Sequence, residues 1–375
     1  MLSKRFFGAS ASFALLLGCQ NHSKNEILIG EIGSMTGSEA TFGVSTDNGI
    51  RLAVKEANMG GGVLGKKIRV ALLDDRGQPT EAAAAATKLI VQDKISILLG
   101  EVASSRSLAM APIAQEHRVP MISPSSTNPK VTETGDYIFR VCFIDPFQGT
   151  VMAKFSRETL KVSRVAILRD VRNAYSVGLA DFFQESFVQR GGQITGDKSY
   201  SAGDSDFKSQ LTALRAGNPQ ALFVPGYYTD VGLIARQARE LSIKVPLMGG
   251  DGWDSADLFK IGGDSLEGCF YSNHSSMDDP SPVIRAFVEA YEKAYGGRPD
   301  SLAALGYDSA KIAFEAVRRA GSTEGSAIRD QLASLKDFPG VTGSISINEA
   351  RNAVKPAVIL KVMGGKAVYE ATINP

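Results

Sequence analysis

The chain has 375 residues, and 41 Lys and Arg against 40 Asp and Glu leave a formal net charge of only +1. Such a balanced charge argues against a nucleic-acid-binding protein. Three cysteines are too few for a disulfide framework, although one bridge between Cys142 and Cys269 stays open.

The N-terminus has the three parts of a bacterial lipoprotein export signal in the correct order. A basic stretch, "MLSKR", precedes an apolar stretch, "FFGASASFALLL", that is too short to span a bilayer. "LLGC" then resembles a lipobox, in which Cys19 becomes the lipidated first residue. We therefore predict a lipoprotein signal peptide over residues 1–19 and a polar tether over residues 20–25. An ordinary signal peptide with a chance cysteine is the alternative.

The predicted mature protein is thus exported and held by lipid at the cell envelope. It would face the periplasm or lie on the outer face of the cytoplasmic membrane. No later stretch is apolar for eighteen residues, so no further membrane span is predicted.

From Glu26 onward, short apolar segments alternate with amphipathic segments. The apolar segments predict buried strands, among them "ILIGEI", "KIRVALLDD", "ISILLGE", "VPMIS", "RVAILRD", "ALFVPGYY" and "VPLMGGD". The segments between them have helical spacing, as in "FGVSTDNGIRLAVKEAN" and "DVGLIARQARELS". This alternation predicts an α/β protein whose parallel sheets are covered by helices on both faces.

The alternation occurs twice, which predicts two similar Rossmann-like lobes. Three helices near the C-terminus have no parallel strands of their own, so they must pack on an earlier sheet. We therefore expect lobes that are discontinuous in sequence. The first is predicted to combine residues 26–143 and 275–350, and the second residues 144–274 and 351–375.

The motifs of common enzyme classes are missing. "GGGVLGKK" has P-loop spacing, but it lacks the Ser or Thr and follows a helix instead of a strand. There is no G-x-S-x-G elbow, and His22, His117 and His274 are isolated in sequence. Asp74 and Asp75 would point to opposite faces of a strand and are interpreted as capping or loop residues. A binding protein without metal or cofactor is therefore favoured over an enzyme.

Polar side chains follow the predicted strands at their carboxyl ends, where open parallel sheets bind ligands. The first run of strands is followed by three hydroxyl-bearing residues, Ser104, Ser125 and Thr127. The second run is followed by two tyrosines and an acid, Tyr175, Tyr227 and Asp251. Hydroxyls and helix N-termini bind carboxylates, whereas Asp251 suits a cation. Together they predict a ligand with an anionic and a cationic end, which describes an amino acid.

From Glu26 to the C-terminus, the chain resembles the leucine/isoleucine/valine-type substrate-binding proteins of ABC transporters. The order and spacing of several segments carry this resemblance, including "GSMTGSEATFG", "LLGEVASS", "MISPSSTNP", "YIFRVCFIDPFQG", "PGYYTDVGLIARQARELSIKVPLMGGDGW" and "GYDSAKIAFEAV". It implies the type I periplasmic-binding-protein fold, with a hinge of three crossings near "CFIDP", "NHSSM" and "NEARNAVKP". It also implies a monomer that delivers its ligand to a membrane permease.

The resemblance assigns four residues to the site of the ligand's carboxylate. Ser104 and Thr127 match hydroxyls that hold the α-carboxylate and help to hold the ammonium. Ala103 and Ser125 match positions whose backbone groups line the same cup. Ser104 and Thr127 acting only as helix caps is the alternative.

Four further residues match the rest of a ligand site. Asp251 matches an acid that pairs with the ammonium, although it is one methylene shorter than the Glu sometimes found there. Tyr175 and Tyr227 match aromatics that close over the ligand, and Phe42 matches a wall beside the ligand's side chain. Leu302 is a further wall candidate. Asp251 as a plain turn residue in "GGDG" is the alternative.

Some relatives join the loops near this cup by a disulfide, but here Gly77 and Ala103 occupy those positions. Arg106 is expected to be solvated or to meet an acidic ligand. The ligand class also stays open, since amides, urea, small carboxylates and a role as a sensor fit the same fold.

Overall fold

The structure is a computed structural model that describes residues 25–374. The predicted signal peptide, the lipidation site Cys19 and residues 20–24 of the tether lie outside the described residues.

The first sheet is parallel and has the strand order β2-β1-β3-β4-β5. Its strands are β1 (Glu26–Gly33), β2 (Lys67–Asp74), β3 (Ile97–Leu99), β4 (Met121–Ser123) and β5 (Ile138–Arg140). All residues of β3, β4 and β5 are buried. This is the pattern of strands covered on both faces, as the apolar runs predicted.

The second sheet has seven strands in the order β15-β14-β10-β9-β8-β6-β7. They are β6 (Arg164–Asp170), β7 (Gln193–Tyr200), β8 (Ala221–Phe223), β9 (Leu247–Gly249), β10 (Phe270–Asn273), β14 (Ala357–Met363) and β15 (Lys366–Ile373). Strands β6 to β10 are parallel, but β14 and β15 are antiparallel. The prediction of a parallel second sheet is therefore incomplete. β14 and β15 form a hairpin because Gly364 and Gly365 adopt positive φ angles in its turn.

Helices cover both sheets. They are α1 (Ala40–Met59), α2 (Pro79–Thr87), α3 (Ser104–Glu116), α4 (Lys130–Glu133), α5 (Asp145–Lys154), α6 (Ala174–Gln189), α7 (Lys208–Ala216), α8 (Tyr228–Glu240), α9 (Ala256–Gly262), α10 (Pro282–Tyr295), α11 (Ser301–Ala320) and α12 (Gly325–Ala333). π-Helical turns extend α2 and α5, at Lys88–Gln92 and Phe155–Thr159, and 3₁₀ turns occupy Asp251–Trp253 and Gly263–Leu266.

The helices that follow β10 pack on the first sheet's side of the molecule. Leu52 of α1 lies in one apolar cluster with Phe287 and Tyr291 of α10 and Ala303 of α11. A small antiparallel sheet follows, made of β11 (Phe338–Gly340), β12 (Gly343–Ile347) and β13 (Ala353–Val354). We call the first sheet with its helices the first lobe, and the second sheet with its helices the second lobe.

The chain passes between these parts three times. It leaves the first sheet after β5, returns after β10, and enters the second sheet again between β13 and β14. Cys142 and Cys269 are both buried free thiols, so the bridge left open by the sequence is not formed. Among residues 25–374, no helix combines the length and apolar character that crossing a membrane requires.

Candidate functional site

The first-lobe side of the site lies where β3 and β4 end beside each other. Because the two strands are parallel neighbours, the start of α3 and the loop after β4 meet at one edge of the sheet. Ser104 is the first residue of α3, and its Oγ accepts a hydrogen bond from the Asn128 N–H at 3.2 Å. A hydroxyl that accepts one bond still has its own proton to donate. Ser104 is therefore able to donate to a ligand.

The three hydroxyls of "PSST" have different surroundings. Ser126 is structural, since its Oγ lies 2.9 Å from the Glu101 carbonyl oxygen and 3.0 Å from that of Val102. Ser125 Oγ reaches across to Asp251 Oδ2 at 3.3 Å. Among residues 25–374, buried Thr127 Oγ1 has no well-formed hydrogen bond, although it interacts with the carboxyl group of Asp145. A buried polar atom without a well-formed hydrogen bond is uncommon and indicates a place for a ligand atom.

The second-lobe side is built from two stacked tyrosines. Tyr175 is the second residue of α6 and Tyr227 directly precedes α8, so both follow strand ends. Their rings are nearly parallel, with centroids 5.4 Å apart. Tyr227 also meets the Phe42 ring of the first lobe edge-on at 5.4 Å. Burial raises the pKa of both tyrosines, so both hydroxyls are neutral donors at physiological pH.

The glycines of "GGDG" let these rings approach the loop that carries Asp251. A Cβ at Gly250 would lie 2.5 Å from Tyr175 Oη, and one at Gly252 would lie 2.9 Å from Tyr227 Cδ1. The Gly252 N–H donates to Tyr175 Oη at 3.1 Å. The glycines are thus explained by close packing on the tyrosines.

Asp251 begins the 3₁₀ turn after β9, and its carboxylate accepts hydrogen bonds on both oxygens. Gln148 Nε2 donates to Oδ1 at 2.8 Å, and His274 Nε2 lies 3.0 Å from Oδ2. Sequence reasoning missed Gln148 and treated His274 as isolated. Position offered a signal for His274, because it follows β10 at the same strand-end edge as Asp251.

These side chains surround a small cavity between the lobes, with a volume of about 10 Å³. Its lining residues are Phe42, Val102, Ser104, Ser125, Thr127, Tyr175, Tyr227, Asp251, Gly252 and Leu302. All are buried except Tyr227, which is half-buried, so the lobes are closed over the cavity. Of the eight residues predicted to bind ligand, seven line it. Ala103 instead lines a neighbouring cleft, and its N–H is donated to Glu101 Oε2 at 2.5 Å.

Arg106 is buried beneath this neighbouring cleft, so the expectation that it is solvated is wrong. It pairs with Glu39 at 2.7 Å and with Glu101 at 3.1 Å, and it donates to the Gly77 carbonyl at 3.3 Å. The loops that carry Gly77 and Glu101 are therefore connected by Arg106 and its partners. Among residues 25–374, no cluster of His, Cys, Asp and Glu is arranged to hold a metal ion.

Comparison with known proteins identifies the family. The periplasmic binding protein family model matches residues 26–366. The chain belongs to the periplasmic binding protein family. It is 29% identical to Leu/Ile/Val-binding protein homolog 3 of Brucella melitensis, over 96% of this chain and 98% of that protein.

Two solved structures share this fold closely. The leucine binding protein LivK of Thermotoga maritima superposes with a TM-score of 0.90 at 41% identity, over 93% of this chain and 99% of that one. The branched-chain amino acid transporter substrate binding protein LivJ of Streptococcus pneumoniae, solved with isoleucine, has a TM-score of 0.88 at 34% identity. The alignment covers 93% of this chain and 100% of the LivJ chain. The predicted fold class and the resemblance to the Leu/Ile/Val-type proteins are confirmed.

The relatives are solute-binding proteins of ABC transporters and not enzymes. This confirms the prediction of a binding protein.

Proposed function

We propose that the protein captures a branched-chain or similarly small amino acid between its two lobes and delivers it to an ABC permease. One observation carries the proposal, namely the polarity of the cavity between the lobes. Hydroxyls and a helix N-terminus lie on one side, and a carboxylate lies on the other. The cavity thus suits a ligand with an anionic and a cationic end.

The ligand's carboxylate would bind on the first-lobe side. Ser104 has a hydroxyl proton to donate, and among residues 25–374 the buried Thr127 Oγ1 has no well-formed hydrogen bond. The first N–H groups of α3 have no partners within the helix, and the helix dipole favours an anion there. These donors bind a carboxylate without a cationic side chain.

The ligand's ammonium would bind Asp251, which Ser125 also contacts across the gap between the lobes. Phe42, Val102 and Leu302 provide apolar walls for a short aliphatic side chain. Charge-assisted hydrogen bonds contribute about 1.5–3 kcal/mol each. About four of them, less the cost of ordering, reach the roughly −8 kcal/mol of a micromolar binder.

Closure of the lobes would trap the ligand, with the predicted lobe boundaries and the three crossings acting as a hinge. The closed form has contacts of its own between the lobes. Thr41 Oγ1 lies 2.9 Å from Ser255 Oγ, and the Asn128 side chain donates to the Ala174 carbonyl at 2.8 Å. A ligand that touches both lobes would add to these contacts and shift the equilibrium toward closure.

We propose that the protein acts at the periplasmic side of the cell envelope, where a lipid on Cys19 would keep the monomeric protein near its permease. Substituting Cys19 by Ser should release the protein from membranes and abolish incorporation of labelled palmitate. Full retention of the variant in the membrane fraction would contradict the anchor.

The ligand is tested by thermal unfolding of residues 25–375, refolded to remove carried ligand, with each amino acid in turn. A ligand that binds only the folded state raises the melting temperature by mass action. We expect shifts with leucine, isoleucine or valine, and none with D-leucine, leucinamide or 4-methylpentanoate. A shift only with amides, urea or plain carboxylates would contradict amino-acid binding and assign the protein to another ligand class.

A further inference from the structure

The Asp251 carboxylate is held by two buried donors outside the cavity lining. Gln148 of α5 donates to Oδ1 at 2.8 Å, and His274 Nε2 lies 3.0 Å from Oδ2. Both side chains are buried. From the first lobe, Ser125 Oγ contacts this carboxylate at 3.3 Å from Oδ2.

Each donor is itself held in place. Gln148 Nε2 also lies 3.1 Å from Ser272 Oγ of β10, so its two N–H groups have separate acceptors and its amide is fixed in one orientation. The His274 ring stacks on Phe143 with centroids 3.9 Å apart. Phe143 follows β5 and His274 follows β10, so two of the three chain crossings fix the imidazole.

Burial keeps His274 a neutral donor. Burial lowers the pKa of His274, and Asp251 only partly opposes this effect, while the charge of Lys355 adds to it. His274 Nδ1 is buried without a hydrogen-bond partner, so a proton there would be unsatisfied. Burial also raises the pKa of Asp145 and that of Asp254, two carboxyl groups that interact with Asp251. Neutral donors thus orient Asp251 without cancelling its negative charge.

We propose that Gln148 and His274 are positioning residues that aim the Asp251 carboxylate at the ligand's ammonium, and so make the site selective for amino acids. This inference rests on the proposed function. Asp251 is one methylene shorter than the glutamate found at this position in some relatives. Because Gln148 and His274 fix the orientation of the Asp251 carboxylate, the shorter side chain can still present its charge to the ligand.

The test is a double-mutant cycle read out as leucine affinity by isothermal titration calorimetry at pH 7.5. The variants are His274→Leu, which removes the donor, and Asp251→Asn, alone and combined. If His274 acts through the charge of Asp251, His274→Leu should weaken binding tenfold or more with Asp251 present, and less than twofold with Asn there. His274→Gln is the matched control, because its amide places a neutral donor near the Nε2 position; it should recover affinity to within about threefold.

Equal weakening in both backgrounds would show that His274 acts independently of Asp251 and would overturn the inference, as would unchanged affinity in His274→Leu. Gln148→Leu, combined with Asp251→Asn in the same way, replaces His274→Leu if that variant does not fold. Failure of the wild-type protein to bind any amino acid would overturn the proposed function as well. Amino-acid binding with additive mutations would overturn the inference alone.

Discussion

The first-lobe side of the cavity is held by hydrogen bonds and ion pairs, whereas the tyrosine wall of the second-lobe side is held mainly by packed rings. Beneath the start of α3, Arg106 joins Glu39 and Glu101, and Ser34 Oγ donates to Asp75 Oδ1 at 2.8 Å. On the other side, the rings of Tyr175 and Tyr227 stack over glycines of the Asp251 loop.

This difference predicts which changes should destabilise each side of the cavity. A buried ionic cluster is sensitive to the loss of one partner and to pH, since each remaining charge is left in a poor solvent. A stacked aromatic wall has little charge to lose, and it should respond to changes in shape and to single hydroxyl deletions. Substitutions in the two lobes can therefore test whether the two sides of the cavity differ in this way.

The largest effect is expected for Arg106→Gln. It leaves the carboxylates of Glu39 and Glu101 without their cation, and breaking a buried pair in this way costs about 3–5 kcal/mol. Urea denaturation would measure the free energy of unfolding. Arg172→Gln is the matched control, because Arg172 is exposed on the opposite lobe, and it should change stability by less than about 0.5 kcal/mol. Equal effects of the two variants would contradict an ionic brace.

The next effect concerns binding and not stability. Asp251→Ala should weaken leucine binding by about 2–4 kcal/mol, because the ligand's ammonium would be buried without its partner. Calorimetric titration measures the change. Asp264→Ala removes an exposed carboxylate from the same lobe and should leave the affinity as it is. Unchanged affinity in Asp251→Ala would refute the assigned role of Asp251.

The sequence predicted that Ser104 and Thr127 lie at one edge of the first sheet and Tyr175 at a strand-end edge of the second, because parallel strands carry their following residues to the same side of a sheet. Gln148 lies inside α5 and follows no such rule, whereas His274 does follow a strand end but belongs to no sequence motif. Their importance depends on how two distant chain crossings pack against β9, which one sequence does not disclose.

Arg106 was misjudged for a related reason. It lies in the first turn of a helix, where a long side chain points back toward the N-terminus. There it meets Glu101, which follows β3 in the same loop, and Glu39, which precedes α1 and is distant in sequence. The segments that form β14 and β15 were predicted to be β-like and were assigned to the second lobe, but nothing in their composition indicated their antiparallel direction.

A smaller effect is expected from pH acting on the first lobe. Burial, with the charge of Glu101 adding to it, raises the pKa of Asp75 to about 7, whereas hydrogen bonds led by that from Thr36 lower the pKa of its neighbour Asp74. The folded state therefore retains a proton on Asp75 that the unfolded state loses between about pH 4 and 7. Stability from this group falls as pH rises through that window, by at most about 1.4 kcal/mol per pH unit.

Asp75→Asn should flatten this fall, since the amide resembles the protonated acid and does not titrate. Asp74→Asn is the matched control. The lowered pKa of Asp74 contributes stability that is fully present above about pH 4, so the amide should lower stability by a constant amount from pH 5 to 8 and keep the wild-type slope. Urea denaturation at pH 5, 6, 7 and 8 compares the slopes. A slope in Asp75→Asn as steep as that of the wild type would contradict the proton on Asp75.

The smallest effect separates the two stacked tyrosines. Tyr175→Phe removes the acceptor of the Gly252 N–H and should cost about 1 kcal/mol of stability, because a buried donor loses its partner. Among residues 25–374, Tyr227 Oη has no well-formed hydrogen bond, although it interacts with the Asn173 side chain, so Tyr227→Phe should cost less stability than Tyr175→Phe. If Tyr227 contacts the ligand, the same variant should still weaken leucine binding several-fold. A stability loss in Tyr227→Phe equal to that in Tyr175→Phe would mean that both hydroxyls support the second lobe and neither is reserved for ligand.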